Sequence, residues 1–81
     1  MARKCMQEKS WLKAFSARLN EVIKESGLTQ KTLAIMAGLS EGTISNYIHG
    51  RKMPNARAIV NLSYALNCPV EYLIDFGYPI Y

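Results

Sequence analysis

The stretch from Gln30 to His49, QKTLAIMAGLSEGTISNYIH, decides how the rest of the chain is read. Thr29 is a good N-cap residue standing just before apolar positions at Leu33, Ala34, Met36 and Ala37, which predicts a helix over 30–37. Gly38 follows, and glycine accepts the positive φ that a sharp turn requires because it has no Cβ. Ser40 then caps another helix, from Glu41 to about His49, with Ile44 and Ile48 on one face and Tyr47 beside them. Ala34 falls on the inner side of the first of these helices, near the crossing point. A larger side chain there would push the second helix away, while Leu39 and Ile44 anchor it to a core.

Two helices crossing near a right angle about such a turn form a helix-turn-helix, a device that lays its second helix in a DNA major groove. The outward residues of that helix are Glu41, Gly42, Thr43, Ser45, Asn46 and His49. Short polar side chains at its N-terminal end suit base edges. Asn46 can pair with adenine, Thr43 can touch a thymine methyl, and Glu41 can accept from a cytosine amino group. Gly42 lets the backbone itself come close. Phosphate contacts need donors around the helix. Gln30 and Lys31 supply them on one side, Arg51 and Lys52 on the other, and Asn55 at the start of the following helix. Ser45 is placed with this phosphate-contacting set. Lys13, Arg18 and Lys24 read as ordinary solvating charges.

Outward from this stretch the chain reads as helix throughout. Ser10 is the expected N-cap of a helix running to about Ser26, with Leu12, Phe15, Leu19, Val22 and Ile23 at three-and-four spacing. Gly27 provides a left-handed C-cap that Leu28 can close. Asn55 caps a fourth helix over Ala56 to about Leu66, its inward residues being Ile59, Leu62 and Leu66, and Asn67 ends it in a left-handed conformation. Pro69 opens a short fifth helix, Val70 to Phe76, with Val70, Leu73 and Ile74 inward, and Gly77 ends it. The linkers are short and no strand alternation appears, so the expectation is one compact all-α domain over 10–77. A flexible basic leader, 1–9, precedes it and an apolar tail, 78–81, follows.

Composition narrows the class. A chain of 81 residues has room for one small core, and 49% hydrophobic residues is too many for a disordered chain. The net charge of +4 is unevenly spread: residues 1–57 hold all ten Lys and Arg against four Glu, while residues 58–81 hold only Glu71 and Asp75. A basic front suits a nucleic-acid face. Cys5 and Cys68 are too far apart in sequence and too few for a disulfide framework, and with a single histidine there is no zinc ligand set. No cofactor is expected. His49 has no evident acid, base or nucleophile partner, so an enzyme finds no support. The opening MARKCMQEKS lacks the apolar run of a signal peptide, and no stretch approaches a membrane span. The expected location is the cytoplasm.

The ordered set Leu33-Ala34, Ala37-Gly38-Leu39-Ser40, Ile44-Ser45, Gly50-Arg51-Lys52, Pro54, Ala65-Leu66-Asn67 and Val70-Glu71-Tyr72-Leu73-Ile74 resembles the XRE family, the helix-turn-helix repressors of the phage Cro and C1 type. The resemblance runs from about Leu12 to Gly77. It implies a five-helix, lambda-repressor-like fold and a transcriptional regulator, a repressor in function, that binds double-stranded DNA as a homodimer. It implies that Gln30 clamps a phosphate and that Glu41, Gly42, Thr43 and Asn46 face the groove. Glu41 and Gly42 depart from the family's usual Gln, Ser, Thr or basic residues. The competing reading is an antitoxin-like or adaptor module whose main partner is a protein. Phe76, Tyr78, Ile80 and Tyr81 form an apolar end, expected either to fold back on Trp11 and Phe15 or to join a second copy.

Overall fold

The computed structural model describes residues 8–74. Five helices follow one another: α1 (Glu8–Ser26), α2 (Gln30–Ala37), α3 (Glu41–Ile48), α4 (Ala56–Leu66) and α5 (Val70–Ile74). There is no strand among the described residues. α2 packs on α3 and α4, and α1 lies against α3, α4 and α5. Every helix sends at least one fully buried side chain into the core: Phe15 and Leu19 from α1, Leu33 from α2, Ile44 from α3, Leu62 from α4 and Leu73 from α5. Each such side chain stabilises the fold by about 1.5–3 kcal/mol through removal of apolar surface from water. Trp11 stacks on Phe15 with ring centroids 5.1 Å apart, and Phe15 meets the edge of Tyr47 at 6.3 Å, tying α1 to α3.

The local signals act where the sequence puts them. The N–H of Thr32 donates to Thr29 Oγ1 (3.1 Å), that of Thr43 to Ser40 Oγ (3.0 Å), and that of Ala58 to Asn55 Oδ1 (2.8 Å). Each cap satisfies a donor that the helix itself leaves unpaired. Gly38 ends α2 at φ +69° and Asn67 ends α4 at φ +54°, both left-handed. The turn between α2 and α3 is closed by the Leu39 N–H donating to Ala34 C=O at 2.9 Å.

Several sequence expectations are corrected. Ser10 is not a cap: α1 already begins at Glu8, and Ser10 is an exposed residue inside it. Glu8 and Lys9 are both good helix formers. His49 is the C-cap of α3 rather than its last helical residue. Ile74 is exposed rather than inward, and Val70 is half-buried, because a helix as short as α5 commits one side chain, Leu73, to the core. Met36, grouped with the apolar residues of α2, is exposed together with Ile35. Arg18 is no solvating charge. Its Nη1 donates to the Tyr72 carbonyl and its guanidinium lies over the Tyr72 ring, 4.8 Å from the centroid, bracing α1 to α5. The expected end of the fifth helix at Phe76, the placement of the tail and that of Cys5 fall outside the described residues.

Candidate nucleic-acid interface

α3 is held from both ends. At its start Ser40 caps it, and the Ser40 and Thr43 hydroxyls lie 2.8 Å apart. Ile44 and Tyr47 are buried beneath it. At its far end Ser16 of α1, with a single hydroxyl proton, lies 2.9 Å from the Tyr47 carbonyl and 2.8 Å from that of Leu12. The opposite face carries the residues expected to read bases. Glu41 and Gly42 are exposed, and Thr43 and Asn46 are half-buried. Thr43 has its hydroxyl engaged at the cap. Among the described residues the Asn46 side-chain amide makes no hydrogen bond, while the Asn46 backbone carbonyl accepts from the Arg51 N–H at 2.8 Å and so sets the turn after α3.

The expected phosphate-contacting residues are all exposed except Ser45. Gln30 and Lys31 are exposed in the first turn of α2, and Arg51 and Lys52 are exposed in the loop after α3. Asn55 is exposed and uses its Oδ1 as the cap of α4. Ser45 is half-buried, and its hydroxyl is 3.4 Å from His49 Nδ1. That ring nitrogen lies 2.8 Å from the Ser45 carbonyl. A carbonyl cannot donate, so Nδ1 carries the proton and donates there, leaving Nε2 as the outer nitrogen.

Lys52 and Asn55 are brought together with Thr43 and Tyr47 in a shallow cleft of about 500 Å³ between α3 and α4. The cleft contains two further residues that sequence reasoning missed, Arg57 and Asn61. Arg57 carries a signal that could have found it. It stands in the first turn of α4, which holds no acidic residue, and Lys31 occupies the same place in α2. A cation at the positive end of a helix is unfavourable by roughly 0.3–1 kcal/mol. An external anion reverses that sign, and a helix N-terminus is itself suited to phosphate.

A capped helix held outward on a five-helix core, with basic residues on both flanks, defines a helix-turn-helix regulator that binds DNA. The chain belongs to this family: the model described as "Helix-turn-helix" matches residues 19–73. Among solved structures it is similar to the restriction-modification controller protein C.AhdI from Aeromonas hydrophila, at 31% identity over 76% of this chain and 94% of that one, with a TM-score of 0.75. It also shares the fold of the SOS-response transcriptional repressor LexA from Eubacterium rectale, at 24% identity over 94% of each chain, with a TM-score of 0.76. No curated protein matches the sequence. The XRE-type resemblance and the all-α, five-helix expectation are borne out, and the protein is a DNA-binding transcriptional regulator. The antitoxin-like or adaptor alternative is not favoured.

Proposed function

We propose that this regulator is a sequence-specific repressor that seats α3 in the major groove of an operator and blocks the DNA it covers. Glu41, Gly42, Thr43 and Asn46 face the base edges. Gln30, Lys31, Ser45, Arg51, Lys52 and Asn55 hold the phosphates, and Arg57 joins them. The observation that carries this reading is the pair of cations in the first turns of α2 and α4, the helices that precede and follow α3 in the chain, where an external anion makes them favourable. The similarity to a restriction-modification controller supports a role in gene control.

The working unit is a C2 homodimer whose two recognition helices lie about 34 Å apart, one turn of DNA. Val60 and Tyr64, four residues apart on α4, support this: both are exposed, Tyr64 at 82%, and they line a shallow cleft with Val70 of α5. No described helix is long and apolar enough to cross a membrane, and a regulator of this kind acts where the DNA is, in the cytoplasm. The domain includes α1 from Glu8, two residues ahead of the expected boundary at 10.

Selection of genomic fragments by the purified protein, followed by gel shifts over a salt series, tests the proposal. Arg51→Ala with Lys52→Ala should weaken binding to all sequences alike. Asn46→Ala should change the preferred base at one position at a cost of about 1–3 kcal/mol. Affinity that stays flat between low and moderate salt would overturn the reading.

A further inference from the structure

The half of α1 that precedes residue 19 lies outside the family match, yet it is firmly built into the protein. The Trp11–Phe15 stack and the Ser16 contact with the Tyr47 carbonyl fix it against the last turn of α3. Gly50, left-handed at φ +68°, lets the two segments approach so closely that a Cβ there would stand 3.0 Å from Ser16 Oγ. Between them lies an open cleft of about 440 Å³, with Lys9, Lys13 and His49 exposed at its edge and the half-buried Leu12 and Ile48 beneath. Lys9 and Lys13 are four residues apart, so they share one helix face, and like charges at that spacing oppose each other. Neither is paired with a carboxylate among the described residues.

The position of this cleft gives the charges a use. α3 has eight residues and is therefore about 12 Å long at 1.5 Å per residue. The major groove is about 12 Å wide. A helix whose N-terminal end meets base edges brings its C-terminal end to the backbone at the groove's rim. That end is the negative pole of the helix dipole and would repel a phosphate unless cations stand beside it. His49 already covers the Ser45 carbonyl through Nδ1–H, and Lys9 and Lys13 stand next to it.

We infer that Lys9 and Lys13, beside His49, form an additional phosphodiester-binding edge that extends the DNA footprint past the C-terminal end of α3. This rests on the DNA-binding reading above and adds to it a contact made by the part of α1 outside the family match. The contact carries charge and no base reading, so it raises affinity for every sequence alike.

The test uses the full chain with Lys9→Gln and Lys13→Gln together, on the selected operator fragment. Both lysines are exposed and glutamine is a good helix former, so the fold should persist, as a circular-dichroism melt would verify. The slope of log affinity against log salt should become shallower by about 0.9 for each lysine lost per protomer, with the preferred sequence unchanged. Lys9→Arg with Lys13→Arg should keep the wild-type slope. Neutral methylphosphonate linkages flanking the operator should weaken the wild type and leave the double Gln variant unaffected. An unchanged slope, or equal losses for both proteins on the methylphosphonate DNA, overturns the inference while the wild type's own salt-dependent binding leaves the parent reading standing. A wild type that fails to bind DNA overturns both.

Discussion

Gly50→Ala measures how far the placement of α3 depends on the clip from α1. Gly50 and Gly38 have almost the same backbone, φ +68° and +69°, so alanine at either site carries the same left-handed penalty, about 1–2 kcal/mol. Their surroundings differ. A Cβ at Gly38 meets nothing within 4 Å, whereas at Gly50 it stands 3.0 Å from Ser16 Oγ. The Ser16 hydroxyl cannot yield without giving up its contact with the Tyr47 carbonyl, at 2.9 Å. A hydrogen bond of this kind contributes about 0.5–1.5 kcal/mol net. Gly50→Ala should therefore destabilise by about 2–3 kcal/mol, the excess over Gly38→Ala being the hydrogen-bond share. Urea unfolding reads this as a lower midpoint at unchanged slope. The double variant Ser16→Ala, Gly50→Ala removes the obstructing oxygen, so a cycle should show coupling of about 1 kcal/mol. If Gly50→Ala costs no more than Gly38→Ala, or if Ser16→Ala leaves its cost unchanged, the clip does not hold α3.

Three other outcomes follow from the packing. Arg18→Gln removes both the Tyr72 carbonyl contact and the cation–π contact, and should lower stability by about 1–2 kcal/mol in denaturant titration, the exposed cation–π share being about 0.5–1. Ala34→Leu forces extra volume into a site that is 3% exposed at the α2–α3 crossing, and should cost about 1–3 kcal/mol or displace α3, seen as lost near-ultraviolet dichroism and lost DNA binding together. Burial pushes the Cys68 thiol up from its ordinary range, so less thiolate is present at neutral pH. In a Cys5→Ser background, Cys68 should react with iodoacetamide more slowly than free cysteine, and denaturant should abolish the difference.

What was legible in the sequence was local. Thr29, Ser40 and Asn55 announce themselves as caps because each bonds an N–H three residues along, and Gly38 and Asn67 because the left-handed turn is a property of the residue itself. Ser10 misled because the same residue type that caps a helix also sits without consequence on an exposed helix face. The contacts that orient the helices were not legible. Ser16 reaches a carbonyl 31 residues away and Arg18 one 54 residues away, and periodicity places both only on a helix surface. The candidate interface divides in the same way. The outward residues of α3 follow from helix spacing. The association of Lys52 with Arg57, and of Lys9 and Lys13 with His49, depends on which helices meet.

α3 would be a poor helix by itself. Its eight residues fall short of the roughly 12–15 that an isolated helix needs in water, and Gly42 weakens it further by up to about 1 kcal/mol relative to alanine. The sequence thus retains an unfavourable residue at an exposed position whose backbone needs no glycine, since Gly42 is not among the residues with positive φ. A Cβ added there would meet only Ser40 Oγ, at 3.9 Å, an ordinary contact. Gly42→Ala should therefore stabilise the protein, by at most about 1 kcal/mol because the site lies in the first turn. If the α3 backbone passes close to a base or sugar at this position, the same methyl group should weaken operator binding. Stability and affinity would then move in opposite directions, which a thermal melt and a gel shift on one preparation can read. A variant that is more stable and binds DNA as well as before, or better, would remove Gly42 from the groove-facing set and leave it an ordinary solvated position on α3.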